Sequence, residues 1–234
     1  ILLNSKSERF PNGLGNDKGM LGKYVDFHNY RAKVQAEYHG LLDFTTDGKS
    51  STSAYIPRFR NVRQQETEFK RGYAAGLYAN RKKVTRTDGI GVSLKENLLD
   101  LKLGSWTVGS HMMGETIPKE SNFVSLDETR KDEWGIPLIN ISVDYDENDE
   151  MMIQDYFEQL TEMFENAGFT NIRTHDTKQA PGLDIHEMGG VRMGKDPKTS
   201  LLNEWNQLHT CKNVFVTDGA CMTSTGTQNP SLTY

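Results

Sequence analysis

The most regular hydrophobic pattern in the chain predicts one amphipathic helix over residues 149–167. Apolar side chains recur there at helical spacing, and aromatic residues widen the stripe: Met152, Tyr156, Phe157, Leu160, Met163, Phe164 and Ala167. Asn148 or Asp149 can cap the first turn, and Gly168 can end the last one. Because stripes of methionine and aromatic residues usually form core, we expect this helix to pack against a sheet.

The segments around this helix favour β-strands. Patterns of apolar, aromatic and β-branched residues predict strands over residues 54–59, 69–78, 101–114 and 138–143. In the third strand four alternating residues can line one face of a sheet: Trp106, Val108, Ser110 and Met112. No long crossover helix separates the strands, which favours antiparallel pairing. The predicted fold class is therefore α+β, a mostly antiparallel sheet with flanking helices, and residues 43–53 are predicted to form a flexible loop.

The C-terminal part contains one further strand and two turn signals. Residues 214–217 form a β-branched and aromatic run that predicts a short buried strand, and Asp218-Gly219 ends it. Asn229-Pro230 matches the start of a helix, with asparagine as the N-cap and proline at the first helical position. By themselves, these two dipeptides are most simply explained as a strand-ending turn and a well-capped helix.

Composition and charge narrow the classes of function. Of the 234 residues, 35% are hydrophobic and 25% are charged, which suits a soluble globular protein. The net charge of −5 argues against a nucleic-acid surface, and no run of about 18 apolar residues predicts a membrane span. Cys211 and Cys221 are the only cysteines, so a disulfide framework is not expected. Histidine, cysteine and aspartate residues are too dispersed to predict a metal site.

The two ends of the sequence predict that it is part of a longer chain. It opens on a strand-like apolar run, residues 1–5, without an initiator methionine. It closes about one turn into the helix predicted at Asn229-Pro230, and so short a helix is not stable alone. Targeting signals would then lie outside these residues, so localisation in the cytoplasm or the periplasm stays open.

Three motifs in the C-terminal part resemble the signature of a known enzyme family. They are His-Glu-Met-Gly-Gly-Val-Arg-Met-Gly at residues 186–194, a strand that ends in Asp218-Gly219-Ala220, and Asn-Pro-Ser-Leu-Thr at residues 229–233. In this order they resemble glucose–methanol–choline (GMC) oxidoreductases, most closely the bacterial sugar-dehydrogenase-like branch. Residues 22–28, Gly-Lys-Tyr-Val-Asp-Phe-His, resemble a further pattern of that family. The likeness covers nearly the whole of this sequence, which corresponds to about the C-terminal half of a typical family member. The glycine-rich phosphate loop of the family's N-terminal half is not in this sequence.

The resemblance implies an FAD-dependent oxidation of a small alcohol or sugar, with an unknown electron acceptor. His186 would accept the hydroxyl proton, because a neutral histidine suits this step, and the Asn229 amide would orient the hydroxyl. The implied cofactor-binding residues are Asp218, Gly219, Asn229 and Pro230, since glycine lets the backbone approach the flavin and a helix N-terminus stabilises negative charge. The alternative is a non-catalytic carbohydrate-binding or assembly module derived from the same fold.

The likeness also implies a division into domains. Residues 29–180 would form the substrate or cap domain, while residues 1–28 and 181–234 would return to an FAD-binding α/β domain that is largely absent from the sequence. We expect this segment alone to be inactive and to bind FAD weakly, because only one edge of the cofactor site remains.

The first motif departs from the family at one position. Members of the family usually have threonine where this chain has Gly190. The lost hydroxyl is expected to loosen the turn that holds His186 or to remove a hydrogen bond near the flavin, and so to affect catalytic efficiency.

The remaining polar residues have mostly structural expectations. His28 is either a flavin-side residue or a structural histidine. Packing or hydrogen bonding is expected of His111 and Glu115, and exposure to solvent is expected of His209. Arg192 is expected to pair with a nearby carboxylate or carbonyl.

Overall fold

The fold combines antiparallel strands with two helices in the described part of the chain. The computed structural model describes residues 1–44, 53–84, 86–100, 102–183 and 186–233. In chain order the elements are β1 His28–Asn29, β2 Ala32–Tyr38, β3 Ser53–Ile56, β4 Tyr73–Val84, α1 Val92–Leu99, β5 Lys102–Glu115, β6 Phe123–Lys131, β7 Pro137–Ser142, α2 Glu147–Asn166, β8 Thr170–Asp176, β9 Gln207–Leu208 and β10 Cys211–Phe215. Two short 3-10 turns, Leu2–Asn4 and Gly219–Cys221, lie near the two ends.

β5 is the central strand of the main sheet. The strand order is β3-β4-β5-β2-β8, β1 pairs with the end of β5, and each of these pairs is antiparallel. The predicted antiparallel α+β fold is therefore confirmed. The strand predicted over residues 69–78 begins later, at Tyr73, and continues to Val84. The strand predicted over residues 54–59 ends at Ile56, before Pro57, which lacks the N–H group that a sheet ladder needs.

α2 begins with a reciprocal capping box. The Asp146 carboxylate accepts a hydrogen bond from the Asp149 N–H, and the Asp149 carboxylate accepts one from the Asp146 N–H. The predicted helix is confirmed, but it starts at Glu147, so Asp149 lies in the first turn and Asp146 is the cap. Gly168 follows the helix with a φ of +77°, a conformation that glycine adopts without strain.

α2 covers one face of the main sheet, and their contact forms the larger core. Four positions of the predicted stripe are fully buried there: Met152, Tyr156, Leu160 and Phe164. The Tyr156 hydroxyl lies 2.9 Å from the Ser110 Oγ, so two polar groups inside this core satisfy each other. Ser110 and Met112 are both buried on the α2 side of β5, which confirms the predicted alternation along that strand.

The first and last segments of the chain meet in a second core. Its buried members are Leu21, Val191, Leu201, Leu202, Leu208 and Cys221. The backbone joins the two segments as well, because the Gly22 N–H donates to the Gly190 carbonyl at 2.7 Å. Asp26 and Met188 exchange two backbone hydrogen bonds of 2.8 Å. The segment that precedes β1 therefore lies directly beside the motif that begins at His186.

One prediction for a short apolar run is wrong, and a second is confirmed for the strand but wrong for its burial. Residues 1–5 do not form a strand, because Leu2 and Leu3 lie in a 3-10 turn that packs into the second core. The strand predicted over residues 214–217 is β10, which begins at Cys211 and pairs with the two-residue strand β9. It is not buried in this chain, since Phe215 is 56% exposed.

Other differences concern helices and one loop. α1 was not predicted from the pattern, and none of its residues is buried. The helix predicted at Asn229-Pro230 is a single turn in the described residues, closed by the Thr233 N–H and the Pro230 carbonyl at 2.7 Å. Neither α1 nor α2 combines the length and the apolar character that a membrane-crossing helix needs. Most of the loop predicted over residues 43–53 lies outside the described residues.

Candidate active site

His186 is in direct contact with a second histidine, His28. The His186 Nδ1 lies 2.9 Å from the His28 Nε2, and the two rings are nearly perpendicular at 88°. His28 is buried in β1, whereas His186 is half-buried. The Nε2 of His186 has no hydrogen-bond partner among the described residues, so one ring nitrogen is engaged and the other is open.

A buried polar cluster supports His28 from behind. The Thr225 Oγ1 lies 3.2 Å from the His28 Nδ1, and the Thr225 N–H donates to the Asp26 carboxylate at 2.8 Å. The Thr116 hydroxyl donates to the other oxygen of Asp26. Asp26, His28 and Thr225 are each at least 97% buried, so the cluster ties β1 to the loop after Gly219–Cys221.

The surroundings shift the pKa values of the two buried titratable groups in opposite directions. Burial, and then the charge on His186, lower the pKa of His28 to about 4. Burial raises the pKa of Asp26 to about 6, although the hydrogen bonds from Thr116 and Thr225 act against the rise. At neutral pH His28 is therefore neutral, and Asp26 is mostly ionised.

The backbone of His186 adopts a left-handed conformation that residues other than glycine rarely adopt. Its φ is +75°, which costs of order 1–3 kcal/mol and is common at functional sites. The turn that follows requires glycine at one position, since a Cβ on Gly189 would lie 2.0 Å from the Tyr24 carbonyl oxygen. Gly190 also has a positive φ, +87°, but a Cβ there would meet no atom closer than 3.8 Å. The glycine at 190 thus suits the backbone conformation of this turn.

Asn229 lies on a loop that is anchored beside the histidine pair. Upstream of it, Thr225 contacts His28 and Asp26, and the Tyr55 hydroxyl donates to the Thr227 carbonyl at 3.1 Å. Asn229 itself is exposed, and its side chain makes no hydrogen bond to the described part of the chain. The structure therefore brings the loop of Asn229 to His28, but it shows no direct hydrogen bond between Asn229 and His186.

Asp218 and Gly219 lie along an open cleft of about 730 Å³. The Asp218 carboxylate accepts from the Ala220 N–H at 2.9 Å, and the buried Gly219 accepts from the Gly189 N–H at 3.1 Å. The cleft has apolar walls, formed in part by Leu21, Val25, Val214 and Val216, and glycine edges without Cβ atoms at Gly189, Gly190 and Gly219. Such walls suit a flat ring, and such edges suit a chain that approaches the backbone closely, so these residues fit one edge of an FAD site. His186 does not line the cleft, because the cleft runs along the residues that come after it in the chain, 187–191.

A comparison with known families identifies the chain. The sequence profile of the GMC oxidoreductases matches residues 118–234, which is half of the sequence. The chain belongs to the GMC oxidoreductase family. GMC enzymes generally depend on FAD, and the resemblance seen in the motifs is thereby confirmed.

Curated relatives match over the whole chain. A 2-methyl-1,2-propanediol dehydrogenase of Mycolicibacterium austroafricanum is 28% identical, a paromamine 6'-oxidase of Streptomyces fradiae 25%, and the large subunit of a fructose dehydrogenase of Gluconobacter japonicus 25%. The match covers 100% of this chain and 43%, 40% and 42% of those proteins, so the chain spans about two fifths of their length. Among solved structures, a pyridoxine 4-oxidase from Mesorbium loti matches with a TM-score of 0.49 and 16% identity, over 93% of this chain and 42% of that one.

Most of the other expectations for polar residues of this GMC chain are confirmed. Glu115 forms an ion pair with Arg58, and the Arg192 Nε donates to the Thr199 carbonyl at 3.1 Å. His111 packs against Tyr30, with 4.9 Å between the ring centroids.

The expectation for His209 is wrong. It is half-buried, with Nε2 3.1 Å from both the Ser200 Oγ and the Gly194 carbonyl oxygen, because the turn at residues 196–200 folds back over it. No group of three or more residues able to hold a metal ion occurs in the described ranges.

Sequence reasoning did not find Asp26 and Thr225. Asp26 and His28 are two positions apart in an extended segment, and such residues point to the same side of the backbone. That spacing was a usable local signal for a polar pair. Thr225 has no comparable signal, because its contact with His28 spans 197 positions.

Proposed function

We propose that the complete protein is an FAD-dependent oxidoreductase that oxidises a hydroxyl group of an alcohol or a sugar. The observation that carries this proposal is the half-buried His186, whose Nδ1 is held by His28 and whose Nε2 is open. Membership of the GMC family and the whole-chain match to three alcohol and sugar oxidoreductases support it. The alternative, a non-catalytic carbohydrate-binding or assembly module, has no comparable support.

His186 would act as the proton acceptor. The substrate O–H proton moves to the His186 Nε2, which becomes N–H while the Nδ1–H stays bonded to His28. Asn229, which is exposed on the anchored loop, would donate its amide N–H to the same substrate oxygen and hold it in place. When bound, FAD would accept the hydride from the carbon that carries this hydroxyl.

The cofactor would lie along the cleft beside Asp218 and Gly219. The glycine edges allow a close approach of the flavin to the backbone, and the turn that begins at Asn229-Pro230 would direct N–H groups toward the flavin. This placement assigns residues 1–28 and 181–234 to a flavin domain and residues 29–180 to the substrate domain. Both assignments are part of the proposal.

The open face of the main sheet would form a wall of the substrate site. On this face the His111 ring lies over Gly76 and the Tyr78 ring lies over Gly109, since a Cβ on either glycine would be 2.3 Å from the ring. Tyr55, opposite Gly76 on β3, links this face to the loop of Asn229. Two flat rings with polar atoms offer both stacking and hydrogen bonds, which suits a substrate with several hydroxyl groups.

The test is the rate of flavin reduction by substrate under anaerobic conditions in the full-length flavoprotein. General-base catalysis contributes about 100- to 10,000-fold, so His186→Ala should slow reduction by roughly that factor with FAD still bound. His39→Ala is the matched control, because His39 is an exposed histidine past the end of β2 and should keep the parent rate. Flavin reduction is measured because steady-state turnover can report reoxidation instead.

Asn229→Ala should slow reduction less than His186→Ala does, because it removes one hydrogen bond and leaves the base. A His186→Ala protein that keeps its flavin and is reduced at close to the parent rate would show that His186 is not the proton acceptor. A parent protein that binds FAD but is not reduced by any alcohol or sugar would favour the non-catalytic alternative.

A further inference from the structure

Three side chains are hydrogen-bonded in series: His186, His28 and Thr225. The distances are 2.9 Å from the His186 Nδ1 to the His28 Nε2 and 3.2 Å from the His28 Nδ1 to the Thr225 Oγ1. A neutral imidazole has one N–H and one bare nitrogen, so protons can be arranged along the series in two ways. In one, each N–H or O–H points from His186 toward Thr225. In the other, each points toward His186.

The carbonyl at the far end of the series selects the first arrangement. The Thr225 Oγ1 lies 3.1 Å from the Gly226 carbonyl oxygen, which can only accept, so the Thr225 hydroxyl donates to it. The Thr225 oxygen is then free to accept from the His28 Nδ1–H. The His28 Nε2 is consequently bare and accepts from the His186 Nδ1–H.

The arrangement requires His28 to be neutral, and its surroundings keep it so. Burial, followed by the charge on His186, lowers the pKa of His28 to about 4. The backbone carbonyls of Gly114 and Gly226 raise the pKa of His28 in part, because they can accept a hydrogen bond from a ring N–H. A protonated His28 would have no bare nitrogen, and His186 could then not donate to it.

We propose that His28 is a positioning residue that holds His186 in the tautomer with a proton on Nδ1 and a bare Nε2. The inference rests on the proposed role of His186 as the proton acceptor. It gives that role an atomic basis, because only the bare Nε2 can take the hydroxyl proton while the ring is held through Nδ1.

The choice of a neutral partner has a chemical consequence. When His186 takes a proton at Nε2, the positive charge stays on its ring, and the Nδ1–H still donates to the bare His28 Nε2. No second proton has to move along the series. The nearest carboxylate in the cluster, Asp26, acts on the series through the Thr225 backbone N–H and not through a direct bond to either ring in the described residues.

The tautomer itself is the first measurement. The ¹⁵N NMR spectrum of the full-length flavoprotein with labelled histidine distinguishes a ring N–H from a bare ring nitrogen, and a His186→Gln spectrum assigns the His186 signals by difference. In the neutral His186 ring, we expect the proton on Nδ1. A parent protein with the proton on Nε2 of His186 overturns the proposal. This outcome is separate from the His186→Ala test, which addresses only whether His186 is the base.

Variants of His28 give the second measurement, the rate of anaerobic flavin reduction. His28→Leu removes the acceptor, so His186 should populate both tautomers and reduction should slow by about 10- to 100-fold, the range found when the hydrogen-bond partner of a metal-ligating histidine is removed. His28→Gln restores an acceptor at the position of Nε2 and should recover most of that rate. A purely structural role predicts an unchanged His186 tautomer in both variants, and that result contradicts the proposal.

Thr225 provides a pair of variants that keep His28 in place. Thr225→Val removes the hydroxyl but retains the N–H that donates to Asp26, and it should slow reduction by about 2- to 10-fold, as expected for one lost hydrogen bond. Thr225→Ser restores the hydroxyl and should recover most of the loss. Equal rates in the valine and serine variants, with one His186 tautomer in both, would show that the series does not depend on Thr225.

Discussion

Two adjacent glycines, Gly189 and Gly190, provide a controlled test of the turn that carries His186. Both have positive φ values, +82° and +87°, so alanine at either position is strained by roughly 1–2 kcal/mol. They differ in space. A Cβ on Gly189 would lie 2.0 Å from the Tyr24 carbonyl oxygen, whereas the nearest atom to a Cβ on Gly190 would be the Gly22 Cα at 3.8 Å.

The difference in space sets the expected difference in stability. Atoms in ordinary contact are about 3.5 Å apart, so Gly189→Ala must move the Tyr24 segment by about 1.5 Å, whereas Gly190→Ala moves nothing. Overpacking of this kind costs roughly 1–3 kcal/mol, which brings the total for Gly189→Ala to about 2–5 kcal/mol. The displaced segment includes Asp26, two residues before His28, so Gly189→Ala should also slow flavin reduction.

The assay is thermal unfolding of the FAD-loaded full-length protein, followed by flavin fluorescence. At about 2–4 °C per kcal/mol for a domain of this size, Gly190→Ala should lower the melting temperature by about 2–8 °C and Gly189→Ala by about twice that. Equal losses in the two variants would refute the argument from close approach, because only the contact with Tyr24 distinguishes them.

Two further predictions concern buried polar groups, and denaturant unfolding measures both. Tyr156→Phe should lower the free energy of unfolding by about 0.5–1.5 kcal/mol, because it removes the hydrogen bond that the Tyr156 hydroxyl donates to the Ser110 Oγ, while Ser110 keeps the Val34 carbonyl at 3.5 Å as a partner; an unchanged free energy of unfolding would contradict this. Asp26→Asn should lose stability relative to the parent as the pH falls from about 6 to about 4. The reason is that Asp26 has a raised pKa in the folded parent, so the folded protein takes up a proton there at a higher pH than the unfolded chain does, which stabilises the parent as the pH falls. This gain partly offsets the loss of stability from His28, whose lowered pKa makes the unfolded chain take up its proton first. The rise of the Asp26 pKa from 3.8 to about 6 corresponds to about 3 kcal/mol, and a stability difference that is constant with pH would contradict the prediction.

The sheet and α2 could be predicted from the sequence because local pattern and packing agree there. The stripe from Met152 to Phe164 faces the sheet, and Ser110 and Met112 face the stripe. The helical spacing of the one and the alternation of the other therefore each mark the face that is buried. The two short apolar runs were harder to interpret for the opposite reason. Residues 1–5 are too few for a period to distinguish a strand from a turn, and residues 214–217 are too few for a period to show whether the strand is buried.

The histidine pair could not be predicted from spacing. His28 and His186 are 158 positions apart, and no periodicity connects them. The resemblance indicates His186 but leaves two roles open for His28, because only the fold brings the two segments side by side. The partners of His209 could not be predicted from the sequence either. Ser200 and Gly194 are near it in the chain, but only the fold of the turn at residues 196–200 brings both to its Nε2.

The strained backbone of His186 is held by the same segment that holds its ring. Met188 lies two residues after His186 and exchanges two hydrogen bonds of 2.8 Å with the backbone of Asp26. His28 lies two residues after Asp26, and its Nε2 is hydrogen-bonded to the Nδ1 of the His186 ring. A φ of +75° persists only where surrounding contacts over-determine it, and here backbone and side-chain contacts come from one three-residue stretch. Because Asp26 and His28 share that stretch, a movement of it would change the backbone position and the ring orientation of His186 together. The close approach of Gly189 to Tyr24 therefore matters for chemistry as well as for stability, since it fixes the distance between the two segments that this coupling requires.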